Sequence, residues 1–162
     1  MNTNNKQKGI TLVEFTIVGS TVLLIIFAIL ELGVFLFNLQ SINDLTRRTA
    51  RIAAVCQVND PEIKDLALSE REPQGLTAGN IVIDYLDKNG GSVFDPTNNY
   101  DDIYYVSARV ENYNYGFSGV LNFLGDNGVI TTPEFETILA AESLGVERLS
   151  SDGEERYTDC KK

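Results

Sequence analysis

From Ile10 to Phe37 the chain is almost uninterrupted in its apolar character. Glu14 and Glu31 are the only charged residues in this stretch, and 16 uncharged residues, "FTIVGSTVLLIIFAIL", separate them. As a helix the stretch measures roughly 42 Å at 1.5 Å per residue, against a hydrocarbon core of roughly 30 Å. Few soluble helices are apolar all round over such a length, so the pattern predicts one membrane-spanning helix. A cleaved secretory signal has a shorter apolar region and a small-residue cleavage site. Here "NLQSIND" comes after the apolar run instead.

Past Phe37 the pattern changes from uniform to periodic. Leu39, Ile42, Leu45 or Thr46, Thr49, Ile52 and Cys56 recur at steps of three and four, which is one stripe of a helix. No Pro or Gly interrupts it, so the helix is predicted to continue to about Val55. The stripe is expected to pack on a sheet, with Asp44, Arg47, Arg48 and Arg51 turned to water or to partners. Asn59-Asp60-Pro61 is a stop signal, and Pro61 suits the first turn of a second, short helix, "PEIKDLALS".

Beyond that helix the period shortens to two. "NIVIDYLD" alternates as a strand and ends at the turn signal "KNGG", after which "SVFD" is expected to return as a strand. "IYYVSARVENYNY" is the strongest strand pattern in the chain. Its alternation assigns Tyr104, Val106, Ala108 and Val110 to the buried face, and Ile103, Tyr105, Ser107 and Arg109 to the other. "FSGVLNFL" is short and ambiguous, and "EFETILAAES" reads as strand or helix. One long helix followed by three or four strands is an α+β pattern with a small antiparallel sheet. The expected organisation is a short polar segment at 1–9, a transmembrane helix at 10–37, its extramembrane continuation at 38–57, and an α+β domain at 58–162; the resemblance described below implies that 1–9 is a leader and that the domain is extracytoplasmic.

Charge sharpens this division. The net charge is -10, yet Lys6 and Lys8 precede the apolar run and Arg47, Arg48 and Arg51 come after it. From Ile52 onward 20 acids face 8 bases. A surface so acidic repels a phosphate backbone, so nucleic acid is not an expected partner. The basic residues on the two sides of the helix do not fix its orientation.

No histidine is present, which removes Ser-His-Asp and Cys-His catalysis and His-ligated zinc. No catalytic constellation emerges, and no enzyme activity, cofactor or metal is expected. "DPTNNYDD" gathers Asp95, Asn98, Asn99, Asp101 and Asp102, oxygen donors of the type calcium takes, but without EF-hand spacing; a solvated loop is the plainer reading. Tyr104, Tyr105, Tyr113 and Tyr115 read as sheet residues. Cys56 and Cys160 are either a disulfide pinning the tail to the end of the long helix or two free thiols.

The two glutamates lie about 25 Å apart along a helix, near opposite edges of a bilayer. Glu31 is either an interfacial carboxylate that water reaches or an acid that faces protein, since an unpaired acid at that depth is costly.

"KG" followed by "ITLVEF" resembles the cleavage site of type IV pilin precursors. That resemblance implies a basic leader ending at Gly9, a cut by a prepilin peptidase at the cytoplasmic side, and Ile10 as the first mature residue. Glu14 then becomes the fifth. Many pilins carry phenylalanine where this chain has the aliphatic Ile10. "ILELGVFLFNLQSINDLTRRTARIAA" further resembles the helix of TadE-like proteins, minor pseudopilins of the tight-adherence (Flp pilus) machinery. "PEFETILAAESLG" is similar to a later stretch of the same family. The resemblance covers residues 9 to about 54 well and 103–145 loosely.

The resemblance implies a pilin-like fold and an adhesive pilus or related secretion apparatus. The implied partners are a prepilin peptidase, other pilin and pseudopilin subunits, the inner-membrane platform and membrane lipid. The implied location is the bacterial inner membrane, amino terminus cytoplasmic and Cys-containing domain outside. In the family Glu14 attracts the amine of a neighbouring subunit, and the new amine on Ile10 lies about 6 Å from Glu14 along the helix. The rival reading is a single-pass, membrane-anchored binding module that needs neither Gly9 nor Glu14.

Overall fold

The computed structural model describes residues 7–68, 73, 75–147, 156–157 and 160. One continuous helix, α1, runs Gln7–Val55, and a short helix, α2, runs Glu62–Leu68. The strands are β1 Ile81–Leu86, β2 Tyr105–Val110, β3 Asn114–Gly116, β4 Val129–Thr131, β5 Phe135–Ala140, β6 Val146–Glu147 and β7 Arg156–Tyr157. The fold is α+β, as the pattern predicts. Two compact units are distinguished: 1–37 with 114–130, and 38–113 with 131–162.

In the first unit most of the surface of α1 is exposed. Leu12, Phe15, Val18, Ile29 and Leu30 are each at least 60% exposed. A helix this apolar cannot stay bare in water, and its length suffices to cross a membrane. Its few hydroxyls are satisfied internally. Thr16 donates to the Leu12 carbonyl at 2.8 Å, Thr21 to Ile17 at 2.8 Å and Ser20 to Ile17 at 3.0 Å. This suits an environment with no water to accept those protons. Residues 114–130 return to this unit as a loop closed by the β3–β4 ribbon. Inside the loop, the Phe117 amide donates to the Gly128 carbonyl at 2.7 Å.

The second unit is a three-stranded antiparallel sheet, order β1-β2-β5, packed on the polar half of α1. Tyr85 pairs with Val106 and Val106 with Leu139, so β2 is central. Ile42, Leu45, Thr46, Thr49, Ala50, Ala53 and Ala54 are the buried stripe of α1. Small residues lie at its end, and the Thr46 and Thr137 hydroxyls meet at 3.0 Å. Ala53, Ala54, Val58, Ile63, Tyr85, Ile103, Val106 and Leu144 form the core.

Three local expectations are corrected. "SVFD" is not a return strand: Ser92 makes a single bridge to Leu86. The turn is held instead by Asp87, whose carboxylate accepts the amides of Asn89 and Gly91 at 2.8 and 2.9 Å. Tyr104 is 51% exposed and Ile103 is buried, because Ile103 leaves a 3-10 turn at Tyr100–Asp102 and points inward before the alternation of β2 begins. Ser107 is buried although it lies on the other face of β2; its hydroxyl donates to Glu136 at 2.6 Å across the strand pair.

Cys56 and Cys160 are joined as a disulfide, with Cα atoms 5.6 Å apart. The Cys160 amide also donates to Asp60 at 3.2 Å.

Candidate functional site

The processing residues Gly9 and Ile10 lie in the first turns of α1, and Met1–Lys6 of the expected leader is outside the described residues. Glu14 is four residues past Ile10, one helical turn, and is exposed. Among the described residues no ion pair or side-chain hydrogen bond engages Glu14.

Glu31 is placed very differently. Its two carboxylate oxygens accept two backbone amides of the 114–130 loop, Gly119 and Leu121, each at 2.8 Å. Glu31 thus faces the backbone of this loop. The carboxylate is held by two main-chain donors with one residue between them, and such charge-assisted bonds are stronger than neutral ones. The loop approaches closely enough that a Cβ on Gly119 would sit 3.1 Å from both oxygens. One turn further along α1, Phe35 packs against Tyr115 and Phe117 with ring centroids 5.1 and 5.4 Å apart. The two loop rings meet edge-on at 5.1 Å. Burial pushes the Tyr115 phenol up, and the Glu31 carboxylate adds to the rise. Tyr115 is therefore part of an aromatic cluster on α1 as well as a β3 residue.

No short motif announces this clamp. Its members are separated by 88 and 90 residues. The one available signal is a pairing of oddities: an acid inside an apolar helix, and an apolar, glycine-bearing loop without a clear period.

The basic group on α1 divides. Arg48 pairs with Asp44 at 3.2 Å and reaches the Ala67 carbonyl at 3.4 Å, tying α1 to α2, whereas Arg47 and Arg51 are exposed. "ESLG" caps α1. The amides of Glu142 and Leu144 donate to the Ala54 carbonyl, while the Gly145 amide and the Ser143 hydroxyl donate to the Val55 carbonyl at 2.8 and 3.1 Å. These contacts satisfy carbonyls that a helix end leaves without partners.

In the Asp95–Asp102 loop the Asp95 carboxylate and two main-chain carbonyls accept side-chain amides. Asn98 donates to the Asp95 carboxylate at 2.7 Å, and Asn99 to the carbonyls of Phe94 and Asp95. Among the described residues no cluster of acids, Cys or His is spaced to hold a metal ion. On β2, Arg109 bonds Glu111 and Asp84, and these bonds, in that order, raise its guanidinium pKa.

No curated protein and no solved structure matches the chain. Residues 9–51 match the family model described as TadE-like protein. That span begins at Gly9, includes Glu14 and the clamped Glu31, and runs through the arginines of the polar half of α1. The likeness to TadE-like proteins thus rests on this amino-terminal helix.

Proposed function

We propose that this chain is a non-catalytic minor pseudopilin of a tight-adherence pilus, released from its leader by a prepilin peptidase cutting between Gly9 and Ile10. It sits in the inner membrane with its amino terminus on the cytoplasmic side and its disulfide-bonded domain outside. From there it joins other pilin and pseudopilin subunits and the inner-membrane platform.

The observation that carries this reading is Glu14. It is an exposed acid on an apolar helix, one turn from the residue whose amine the cut would free. A carboxylate in hydrocarbon is costly alone, and so is an ammonium. The α-amine of a neighbouring subunit brings the missing charge and fixes one axial offset between the two helices. Breaking such a buried pair by removing one member costs about 3–5 kcal/mol. The Glu31 clamp leaves Glu14 as the acid free to serve this purpose.

Mass spectrometry of the mature chain tests the cut. An amino terminus at Ile10 is expected; a chain retaining the Gly9–Ile10 bond in cells with active peptidase defeats the proposal. Glu14→Leu separates it from the anchored binding module. The variant should insert normally and fail to assemble, and assembly at the normal level would favour the module.

A further inference from the structure

The loop that clamps Glu31 has a surface the clamp does not explain. Phe123 is 75% exposed, and Val120 and Leu124 are half-buried beside it. Residues 114–130 contain one charged side chain, Asp126, in a region from Ile52 onward that is otherwise rich in acids. Phe94 is also exposed, but beside the acids of the Asp95–Asp102 loop, whereas Phe123 sits on a charge-poor loop.

The clamp fixes where on α1 this loop lies. Glu31 is six residues before Phe37, the end of the apolar run, or about 9 Å along the helix. The apolar run exceeds a roughly 30 Å hydrocarbon core by about 12 Å, so its last turns belong to the interfacial layer. Glu31 and the loop bonded to it are thus at the depth where headgroups meet acyl chains. The cluster of Phe35, Tyr115 and Phe117 is what this layer favours, since rings with a polar tip suit an environment apolar on one side and wet on the other.

We propose that residues 117–124 form an interfacial wedge. Phe123 and Leu124 rest in the lipid surface at the Phe37 end of the span, and Glu31 is the positioning residue that holds the wedge against the helix. The occupant of the exposed face is lipid, not protein: the loop is bonded to a helix whose apolar side chains are exposed, and residues 117–124 carry no charge, so repulsion by anionic headgroups does not oppose it. By accepting both amides, Glu31 removes the backbone donors that would otherwise resist entry into this layer. The inference rests on the reading of Ile10–Phe37 as membrane-spanning, and its test is built to fail separately from that reading.

The chain has no tryptophan, so one introduced indole reports alone. Leu24→Trp marks the middle of the span and Phe123→Trp the wedge. Each full-length variant is reconstituted in bilayers whose lipids carry bromine either near the headgroup or near the chain end. Leu24→Trp should be quenched by the deep label. Phe123→Trp should be quenched by the shallow label, emit to the blue and resist aqueous iodide. Adding Glu31→Leu should return the Phe123→Trp indole to iodide, while Glu31→Gln, which keeps one acceptor oxygen, should do so less. If Leu24→Trp is quenched but Phe123→Trp responds to iodide alone, the wedge is refuted and the span stands. If Phe123→Trp is shielded from both quenchers, protein covers the loop and the wedge is again refuted. If neither indole is quenched by any lipid, the membrane reading itself falls.

Discussion

Removing the Cys56–Cys160 bond should destabilise the second unit by several kcal/mol, acting on the unfolded chain. The two residues are 104 apart in sequence. In the chain-entropy model a link of that span lowers the entropy of the unfolded chain by an amount worth about 4.7 kcal/mol at room temperature. The native side of the balance changes little. Cys160 is half-buried, its amide bond to Asp60 does not involve the side chain, and Cys56 without its partner is a small, buried, weakly polar group. Cys160→Ala should therefore lose about 3–5 kcal/mol. With a urea dependence of about 1–3 kcal/mol per molar, the midpoint falls by roughly 2 M. Tyrosine fluorescence is the probe, since Tyr85 is buried in the core and no tryptophan interferes. The parent chain treated with a thiol reductant should show the same fall, and the variant should not respond to reductant. A fall of less than about 0.5 M, equal to roughly 1 kcal/mol, would refute the reasoning: the unfolded chain would then hold its ends together without the bond.

Two more outcomes come from the geometry of turns. Gly145 has φ +77°, and a Cβ there would meet the Gln57 amide nitrogen at 2.5 Å. Gly145→Ala should cost at least about 1–3 kcal/mol in the same urea titration, because the strained backbone and the clash both fall on the cap of α1. The Asp87 carboxyl is held below its ordinary value by the amide of Gly91 first and that of Asn89 next. A depressed carboxyl stabilises the fold fully above its unfolded value, and this contribution is lost as pH falls through its folded value. Asp87→Asn should flatten that acid limb in a stability-against-pH series, and an unchanged limb would remove Asp87 as its cause.

Much of the architecture is legible along the chain because it depends on near neighbours. The apolar run, the three-and-four stripe and the absence of Pro and Gly from the polar half determine a single helix to Val55. The alternation of "NIVIDYLD" and "YVSARV" determines two strands, and the glycines after Lys88 determine the turn that ends β1. The expectation fails at Tyr104 because a 3-10 turn resets the phase of alternation, an event governed by hydrogen bonds such as Ile103 to Tyr100 rather than by apolar spacing. It fails at Ser107 because a hydroxyl is buried without penalty once a cross-strand carboxylate accepts its proton.

Sequence by itself settled the helix, the α+β class, and the position of two acids in an apolar segment. It also placed Glu14 one turn from Ile10, a relation of short range that any helix enforces. Only the tertiary structure decided the contacts that cross long stretches of chain. These are the carboxylate of Glu31 on the amides of Gly119 and Leu121, the "ESLG" cap on α1, and the pairing of Cys56 with Cys160. Backbone amides are chemically alike at every residue, so a donor pair that recognises an acid leaves no mark in the sequence. The folded chain alone determines which two of them meet it.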